Sequence, residues 1–375
     1  MQGDDLVEEA SRQLTICNAC RYCEGYCPVF PAIEVRREFG KGDVFFLANL
    51  CHDCRACYYA CMYSPPHEFA VNLPQIMSEV RLESYKAWSW PALLAGSFRD
   101  IRKSIFLAGL SIGLIIALAL TLVVPGKLFA VHRGPGSFYA VIPFLVMLLP
   151  ALGLTLYGGA VWMMGGVRFW KDTEGELPCP MGFRVLAQTA GDILNLKWLR
   201  GGGRGCYYPK AHAAQARRLY HSLVYYGFLS ATVSTSLAAI YQDILHTLPP
   251  YSLTSAPVLF GSIGGVAIIV GVAGLVVLKA TSDREPAHSP SLGLDYLFLI
   301  ILGLTALSGM FTLLFRESSA MGIILTLHLG LVAALFITVP YGKLVHSLYR
   351  SLAILRHHLE QSQSHRDAQG AEPIS

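Results

Sequence analysis

The sequence predicts a mainly α-helical protein in two parts, a cysteine-rich domain over residues 1–100 and a six-helix transmembrane bundle over residues 101–350. Eight of the ten cysteines lie within the first 61 residues. The whole chain is 53% hydrophobic and only 14% charged, whereas about a quarter of the residues of a soluble protein are charged. Long apolar runs follow residue 100, and each reaches the length of about 20 residues that a helix needs to cross a bilayer.

These runs predict six membrane-spanning helices. They cover residues 104–124, 138–165, 219–245, 257–279, 292–315 and 320–345. The polar segment 166–218 is predicted to be a cytoplasmic loop. Residues 351–375 are predicted to be a disordered cytoplasmic tail, because the stretch ends in polar residues with little apolar surface to bury.

The distribution of basic residues predicts that both termini are cytoplasmic. Segment 166–218 carries nine lysines and arginines, whereas the loops on the opposite side carry only Lys127, Arg133 and Arg316. The N-terminus has no basic segment followed by an apolar one, so we expect no secretory signal before the cysteines. A net charge of +4 is small for 375 residues and gives no argument for a nucleic-acid partner.

Two cysteine runs share the spacing C-x2-C-x2-C-x3-C, and in two-cluster ferredoxins the fourth cysteine of such a run binds the other cluster. The pattern predicts two [4Fe-4S] clusters in a helix-rich, ferredoxin-like domain. For cluster 1 the predicted ligands are Cys17, Cys20, Cys23 and Cys61, and for cluster 2 they are Cys51, Cys54, Cys57 and Cys27. Met62 stands in the second run where Pro28 stands in the first. Zinc is the alternative, but its cysteines usually come as two separated pairs.

The 23 residues between the two runs are more than a minimal bacterial ferredoxin needs. Within them the stretch "EVRREFGKGDVFFLANL" has helical periodicity. This insertion is typical of the helix-rich ferredoxin modules attached to respiratory dehydrogenases.

Four histidines lie at or within the third and sixth predicted spans, where ionisable residues are rare and usually functional. They are His221, His246, His328 and His346. At about 3.6 residues per turn, the two histidines of the third span lie on roughly the same helix face, and so do the two of the sixth span. If the two spans are adjacent, His221 meets His346 and His246 meets His328. We predict one or two bis-histidine b haems. The alternative is that some, above all His246 and His346, are interfacial side chains at helix ends.

Other polar features have simpler interpretations. Asp243 and Asp295 lie near span ends, where solvation explains them better than proton transfer to a quinone. The segment "GGGRGCYYP" lacks the preceding strand and the spacing of a nucleotide site. Cys179 and Cys206 are predicted to be two lone buried thiols, because disulfides are rare in the cytoplasm.

The sequence resembles the tricarballylate and citrate utilisation protein B family. The resemblance rests on the doubled cysteine run, on "DILNLKWLRGGGRGCYYP" and "ARRLYHSLVYYGF" before the third span, and on six spans, and it covers nearly the whole chain. It implies a protein of the bacterial inner membrane that reoxidises the reduced FAD of a separate tricarballylate dehydrogenase. The electrons would pass through the clusters and a haem to membrane quinone, and the chain itself would hold no residue that acts on the acid.

Two other function classes fit the sequence less well. A membrane-anchored iron-sulfur redox sensor has no use for four membrane histidines. A tricarboxylate transporter with regulatory clusters usually contains a corresponding pair of broken helices, and the sequence indicates none.

Overall fold

The computed structural model describes residues 3–98, 100–173, 182–201 and 203–370. Its N-terminal domain is built from short helices around the cysteine runs. They are α1 (Gly3–Cys20), α2 (Val29–Glu34), α3 (Lys41–Leu50), α4 (Ala56–Tyr59), α5 (Leu73–Trp88) and α6 (Ala92–Ser97). Helix α3 confirms the predicted helical segment between the runs, and its residues from Val44 to Leu50 are buried.

The rest of the described chain is also helical. The helices are α7 (Ile101–Leu122), α8 (Pro125–Leu128), α9 (Ser137–Val141), α10 (Phe144–Thr173), α11 (Phe183–Leu194), α12 (Ala216–Asp243), α13 (Ala256–Ala280), α14 (Ser289–Leu314), α15 (Met321–Thr338) and α16 (His346–Gly370). A two-stranded antiparallel sheet joins β1 (Cys206–Tyr207) to β2 (Ala213–Ala214).

Six of these helices are long and apolar enough to cross a membrane, which confirms the predicted helical bundle. They are α7, α10, α12, α13, α14 and α15. Helix α10 continues to Thr173, eight residues past its predicted end. Two other large differences from the prediction lie at prolines, which lack the N–H that a helical ladder needs. Helix α10 begins after Pro143, and α15 ends two residues before Pro340.

Neighbouring spans pack in chain order from α12 through α13 and α14 to α15, and α15 also packs against α7 and α10. Helices α12 and α13 approach each other closely where Gly227 faces Gly264. A Cβ atom on Gly264 would lie 2.7 Å from the Gly227 carbonyl oxygen. Small residues let helix backbones meet at such distances in a bilayer. The third and sixth spans are therefore held in their places by the two helices between them.

The predicted disordered tail over residues 351–375 is wrong for the part that the structure describes. Helix α16 continues to Gly370, and it packs against the N-terminal domain. Ala353, Ile354 and Leu359 are buried, and Arg36 forms a 2.6 Å ion pair with Glu360. The helix is stable because one face of the "SLAILRHHLE" stretch buries apolar side chains. Residues 371–375 lie outside the described residues.

The N-terminal domain and the bundle share one aromatic core. Trp88 at the end of α5 contacts Phe169 of α10 and Tyr349 of α16, with ring centroids 5.0 and 4.9 Å away. All three side chains are almost fully buried, and Trp88 Nε1 donates a 2.8 Å hydrogen bond to Asp172 Oδ2. The cysteine domain is therefore fixed on the bundle instead of hanging from a flexible link.

The side of the bundle that carries this domain is defined by the α13–α14 connection. Tyr59 Oη donates a 2.5 Å hydrogen bond to Asp283, and Tyr58 Oη donates one of 2.9 Å to Glu285. The N-terminal ends of α12 and α14 consequently lie next to the cysteine runs.

Candidate functional site

The two cysteine runs have the same backbone turn. Arg21 and Arg55 each follow the second cysteine of their run, and their φ angles are 55° and 62°. Residues other than glycine rarely adopt this left-handed conformation. The repeat of the turn shows that the two runs are alike in structure as well as in spacing.

The residues predicted for cluster 1 lie together. Burial, with the neighbouring thiols of Cys61, Cys23 and Cys20, raises the pKa of Cys17 to about 12. Burial raises the pKa of Cys23 to about 11, again with Cys61 and Cys20 as neighbours. These four side chains also line one cavity. The fourth cysteine of the second run is thus placed with the first three cysteines of the first run.

The residues predicted for cluster 2 form a second group. Burial raises the pKa of Cys27 well above its ordinary value, and Cys54 and Cys51 add to the effect. Burial also raises the pKa of Cys57 well above its ordinary value, and the neighbouring thiols include Cys54, Cys51 and Cys27. Thiols in such surroundings are protonated when alone, so a metal must displace their protons to bind them.

The donor set suits an iron-sulfur cluster. Each group offers four thiols, and a [4Fe-4S] cluster takes one thiolate on each iron. Within the described ranges, no three histidine, cysteine or acidic side chains converge tightly enough to hold a single metal ion. Cysteine ligands of zinc converge on one ion at about 2.3 Å, whereas thiolates on separate irons lie farther apart.

Three arginines bind residues 51–55, which carry the first two cysteines of the second run and which we call the cluster 2 loop. Arg81 of α5 and Arg350 of α16 donate hydrogen bonds of 2.7 and 2.9 Å to the Cys51 carbonyl. Arg217 of α12 donates to the carbonyls of Asp53 and His52 at 2.5 and 3.0 Å. The cluster 2 loop is held by positive charge from both the domain and the membrane part.

The glycine-rich segment "GGGRGCYYP" covers the same loop. The Tyr207 N–H donates a 2.9 Å hydrogen bond to the Cys54 carbonyl, and the Arg55 guanidinium lies 4.4 Å from the Tyr208 ring centre. Gly205 has φ of +118°, and a Cβ atom there would lie 2.6 Å from the Ala214 carbonyl oxygen. The segment needs glycine because its backbone folds back on itself to close over the cluster 2 loop.

Cys206 lies in this segment and is 1% exposed. Its Sγ lies 3.5 Å from the Leu199 carbonyl oxygen and 3.7 Å from Arg217 Nη1. It is a free thiol close to Cys54. Cys179 lies outside the described residues.

The structure brings His221 and His346 together. Their ring centroids are 6.5 Å apart, and the ring planes meet at 77°. Since an imidazole nitrogen binds a metal at about 2 Å, two such ligands on opposite sides of one ion have ring centres about 6 Å apart. His346 Nδ1 is 2.5 Å from the Lys343 carbonyl oxygen, and His221 Nδ1 is buried with no hydrogen-bond partner in the described part of the chain. A bond from Nδ1–H to a carbonyl leaves Nε2 free for a metal.

Each of these histidines lies one helical turn from an arginine that binds the cluster 2 loop. Arg217 precedes His221 by four residues on α12, and Arg350 follows His346 by four residues on α16. Residues four apart are neighbours on one helix face, separated by about 6 Å. The histidine pair therefore lies directly beside the cluster 2 loop, with two guanidinium groups between them.

The other two histidines do not form a pair. His246 is exposed and follows the end of α12 in a left-handed conformation, φ 52°. His328 lies within α15, about 10 Å along the helix from its start, and its Nδ1 contacts Ser308 Oγ at 3.0 Å. The two are at different depths. The expectation that His328 and His346 share one helix is also wrong, because α15 ends at Thr338.

The sequence suggested that Asp295 is solvated at a helix end, and the structure shows that it is not. It is 8% exposed and lies between two lysines, with Oδ2 2.5 Å from Lys279 Nζ and Oδ1 2.6 Å from Lys343 Nζ. The two lysines come from α13 and from the turn before α16. Asp243, by contrast, is exposed as expected.

Sequence reasoning missed the arginines and lysines around the histidine pair. One signal was available, since "RRLYH" and "HSLYR" place an arginine four residues from each histidine, in opposite directions along the chain. Arg81, Lys279 and Lys343 have no comparable pattern. They become visible only through their contacts in the folded chain.

Comparison with known proteins covers both halves of the chain. Residues 97–368 match the family model described as Citrate utilization protein B, and residues 10–87 match the one described as Citrate utilization protein B Fer4-like domain. Citrate utilization protein B from Escherichia coli is 39% identical over 354 residues, which are 94% of this chain and 92% of the Escherichia coli protein. No solved structure gives a significant match.

Proposed function

Because the chain belongs to the citrate utilization protein B family, we propose that it is the membrane electron-transfer partner of a dehydrogenase that oxidises a tricarboxylate. The donor is the reduced FAD of a separate tricarballylate dehydrogenase or a related flavoprotein. Two [4Fe-4S] clusters and a b haem carry the electrons one at a time, and membrane quinone accepts them. This chain supplies the sites and does no chemistry on the acid.

The observation that carries this proposal is that the arginines bound to the cluster 2 loop lie one helical turn from the two histidines. Arg217 binds the carbonyls of His52 and Asp53 and lies one turn from His221. Arg350 binds the Cys51 carbonyl and lies one turn from His346. A membrane anchor needs no such connection between a cysteine loop and paired membrane histidines, whereas an electron path needs its centres close together.

The protein residues fix the positions of the two sites relative to each other. Hydrogen bonds from arginine to the loop carbonyls leave the cysteine side chains free to bind metal. Burial lowers the pKa of His346 well below its ordinary value, so its ring is neutral at pH 7, which is the form that binds a metal. The shared core of Trp88, Phe169 and Tyr349 prevents the domain from moving away from the bundle.

The location of the sites is part of the proposal. We place the cysteine domain and both termini in the cytoplasm, since cysteine thiolates need a reducing compartment and the basic loop 166–218 lies on the same side. The citrate in the name of the Escherichia coli relative and the tricarballylate of the resembled family are both tricarboxylates. The residues of this chain do not distinguish between them.

An optical spectrum of the purified protein, reduced minus oxidised, tests the cofactors together with assays of iron and acid-labile sulfide. We expect a b-type α-band and about eight irons per chain with equal sulfide. A spectrum without the α-band would refute the haem, and about one or two irons without sulfide would refute the clusters.

The electron path is tested by reconstitution with the flavoprotein. Membranes that contain this chain and a reduced tricarballylate dehydrogenase should reduce a quinone, and membranes without the chain should not. Quinone reduction at equal rates in both would show that the flavoprotein uses another acceptor.

A further inference from the structure

The surroundings of the histidine pair contain more positive than negative charge on half-buried side chains. The charged neighbours that act on His221 are Arg217, Arg350, Lys279 and Lys343. Asp295 compensates the two lysines by pairing with both of them. Arg350 binds the neutral Cys51 carbonyl, whereas Arg217 has the Asp53 carboxylate as a charged neighbour. Buried charge is costly unless it is paired, so this region favours an anionic ligand.

Two buried donors of the same region have no hydrogen-bond partner among the residues that the structure describes. They are the Tyr85 hydroxyl and Arg350 Nε. Tyr85 is 6% exposed, and the groups whose charges act on it are Arg81, Arg350 and Asp295. Burial raises the pKa of Tyr85 to about 12, so its hydroxyl carries a proton at neutral pH. Unsatisfied buried donors are rare in folded proteins and cost about 1–3 kcal/mol each.

The groups of this region that remain available to bind a ligand are hydrogen-bond donors. Tyr85 offers one O–H and Arg350 one N–H, and the ammonium of Lys343 has three N–H groups, of which Asp295 needs only one. A carboxylate accepts several hydrogen bonds and prefers charged donors. A neutral ligand with donors of its own would leave the same groups unsatisfied.

We propose that Tyr85, Lys343 and Arg350 form a carboxylate-binding site beside the histidine pair, and that it binds the propionate groups of the haem. The assignment rests on the proposed function, since His221 and His346 must hold the haem. It places the carboxylates on the side of the histidine pair that faces the cluster 2 loop. It also gives the excess positive charge an anionic partner.

The test compares haem b with haem b dimethyl ester, in which both propionates are esterified. Haem-depleted protein is titrated with each form, and the two dissociation constants give the preference for free carboxylates. We expect wild type to bind haem b at least roughly tenfold more tightly than the ester, the effect of one charge-assisted hydrogen bond. Tyr85→Phe and Lys343→Met should each reduce this preference.

The matched controls are Tyr226→Phe and Lys197→Met. Tyr226 donates to the Leu194 carbonyl, and Lys197 pairs with Asp192, and neither contacts the histidine pair. Both controls should keep the wild-type preference. The reduction midpoint potential of the bound haem gives a second measurement, and we expect it to rise in the ester form because negative charge has been removed.

The possible results separate this proposal from the proposed function. Equal binding of haem and ester by wild type, or a preference unchanged in Tyr85→Phe and Lys343→Met, would overturn the carboxylate site while the haem remains. A protein that binds neither form would overturn both. If free tricarballylate binds at Lys343 and wild type shows no preference for haem over its ester, the site serves an organic-acid carboxylate and the propionate assignment is wrong.

Discussion

His221 of α12 and His346 of α16 face each other at the domain side of the bundle, with ring centroids 6.5 Å apart. Both lie one helical turn from an arginine that binds the cluster 2 loop. The pair was predicted on the assumption that spans three and six are adjacent. In the structure it forms for another reason, because the chain leaves α15 at Thr338 and returns to begin α16 at His346.

The first prediction concerns the haem ligands. His221→Ala and His346→Ala should each abolish the b-type absorbance, because removing one of two axial imidazoles leaves the ion with a single protein ligand. His246→Ala is the control and should keep the full signal, since His246 is exposed beyond the end of α12. The measurement is haem per protein from the reduced-minus-oxidised spectrum.

His328→Ala distinguishes one haem from two. We expect this variant to keep all of its haem, because His328 contacts Ser308 and has no histidine partner in the structure. Loss of half of the haem would show that His328 binds a second one.

The second prediction concerns Cys61. Cys61→Ser should remove the cluster that Cys17, Cys20 and Cys23 bind, and should leave the one bound by Cys51, Cys54 and Cys57. We expect a loss of about four irons per chain and of one of two reduced-cluster signals in electron paramagnetic resonance. Cys206→Ser is the matched control, because Cys206 is a buried thiol near the second cluster site but outside both predicted ligand sets. If Cys61→Ser instead removes the other signal, the exchange of the fourth ligands is refuted.

The third prediction concerns Arg217. Arg217→Met leaves the carbonyls of His52 and Asp53 without their donor, and each unsatisfied buried group costs about 1–3 kcal/mol. The second cluster should therefore become labile, with several-fold faster release of iron to a chelator, while the first cluster is unchanged. Arg218→Met, at the adjacent position, makes none of these contacts and should behave like wild type. Equal release from Arg217→Met and Arg218→Met would show that the arginine does not support the loop.

The fourth prediction concerns pH and the docking of α16. Burial, with the neighbouring charge of His358, lowers the pKa of His357 to about 4. A histidine with a depressed folded-state pKa is neutral in the fold, so stability is full above about pH 6.5 and falls as the pH drops toward 4. At pH 5 the loss is on the order of 2 kcal/mol.

Protease cleavage within α16 measures this effect. Cleavage should be faster at pH 5 than at pH 7 in wild type, and His357→Phe should remove most of the difference. His212→Gln removes an exposed histidine and should leave the difference unchanged. A pH dependence that survives in His357→Phe would assign it to another group.

Local signals in the sequence were sufficient to predict the fold class and the family. Membrane helices need about 20 apolar residues because lipid cannot satisfy backbone groups, and this requirement is readable along the chain. The spacing of the cysteine runs is also local, since neighbouring ligands of one cluster lie on one turn. The family matches confirm the resemblance that these motifs indicated.

Helix α16 is an element that the local sequence pattern did not predict. Its polar end suggested disorder, but Ala353 and Ile354 are buried in the core of the N-terminal domain, and Leu359 is buried beside Val185 of α11. Amphipathic helices of this kind are stable only when a partner covers their apolar face. The partner here is the domain at the other end of the chain, which a local pattern does not contain.

The sequence alone determined the number of spans, the two cysteine quartets and the set of candidate histidines. The tertiary structure decided which histidines meet, that Asp295 is a buried bridge between Lys279 and Lys343, and that three arginines from separate helices bind the cluster 2 loop. The physical reason is that these contacts join residues far apart in the chain. Their geometry depends on helix packing and on where prolines end helices. Neither can be predicted from the spacing of residues along the chain.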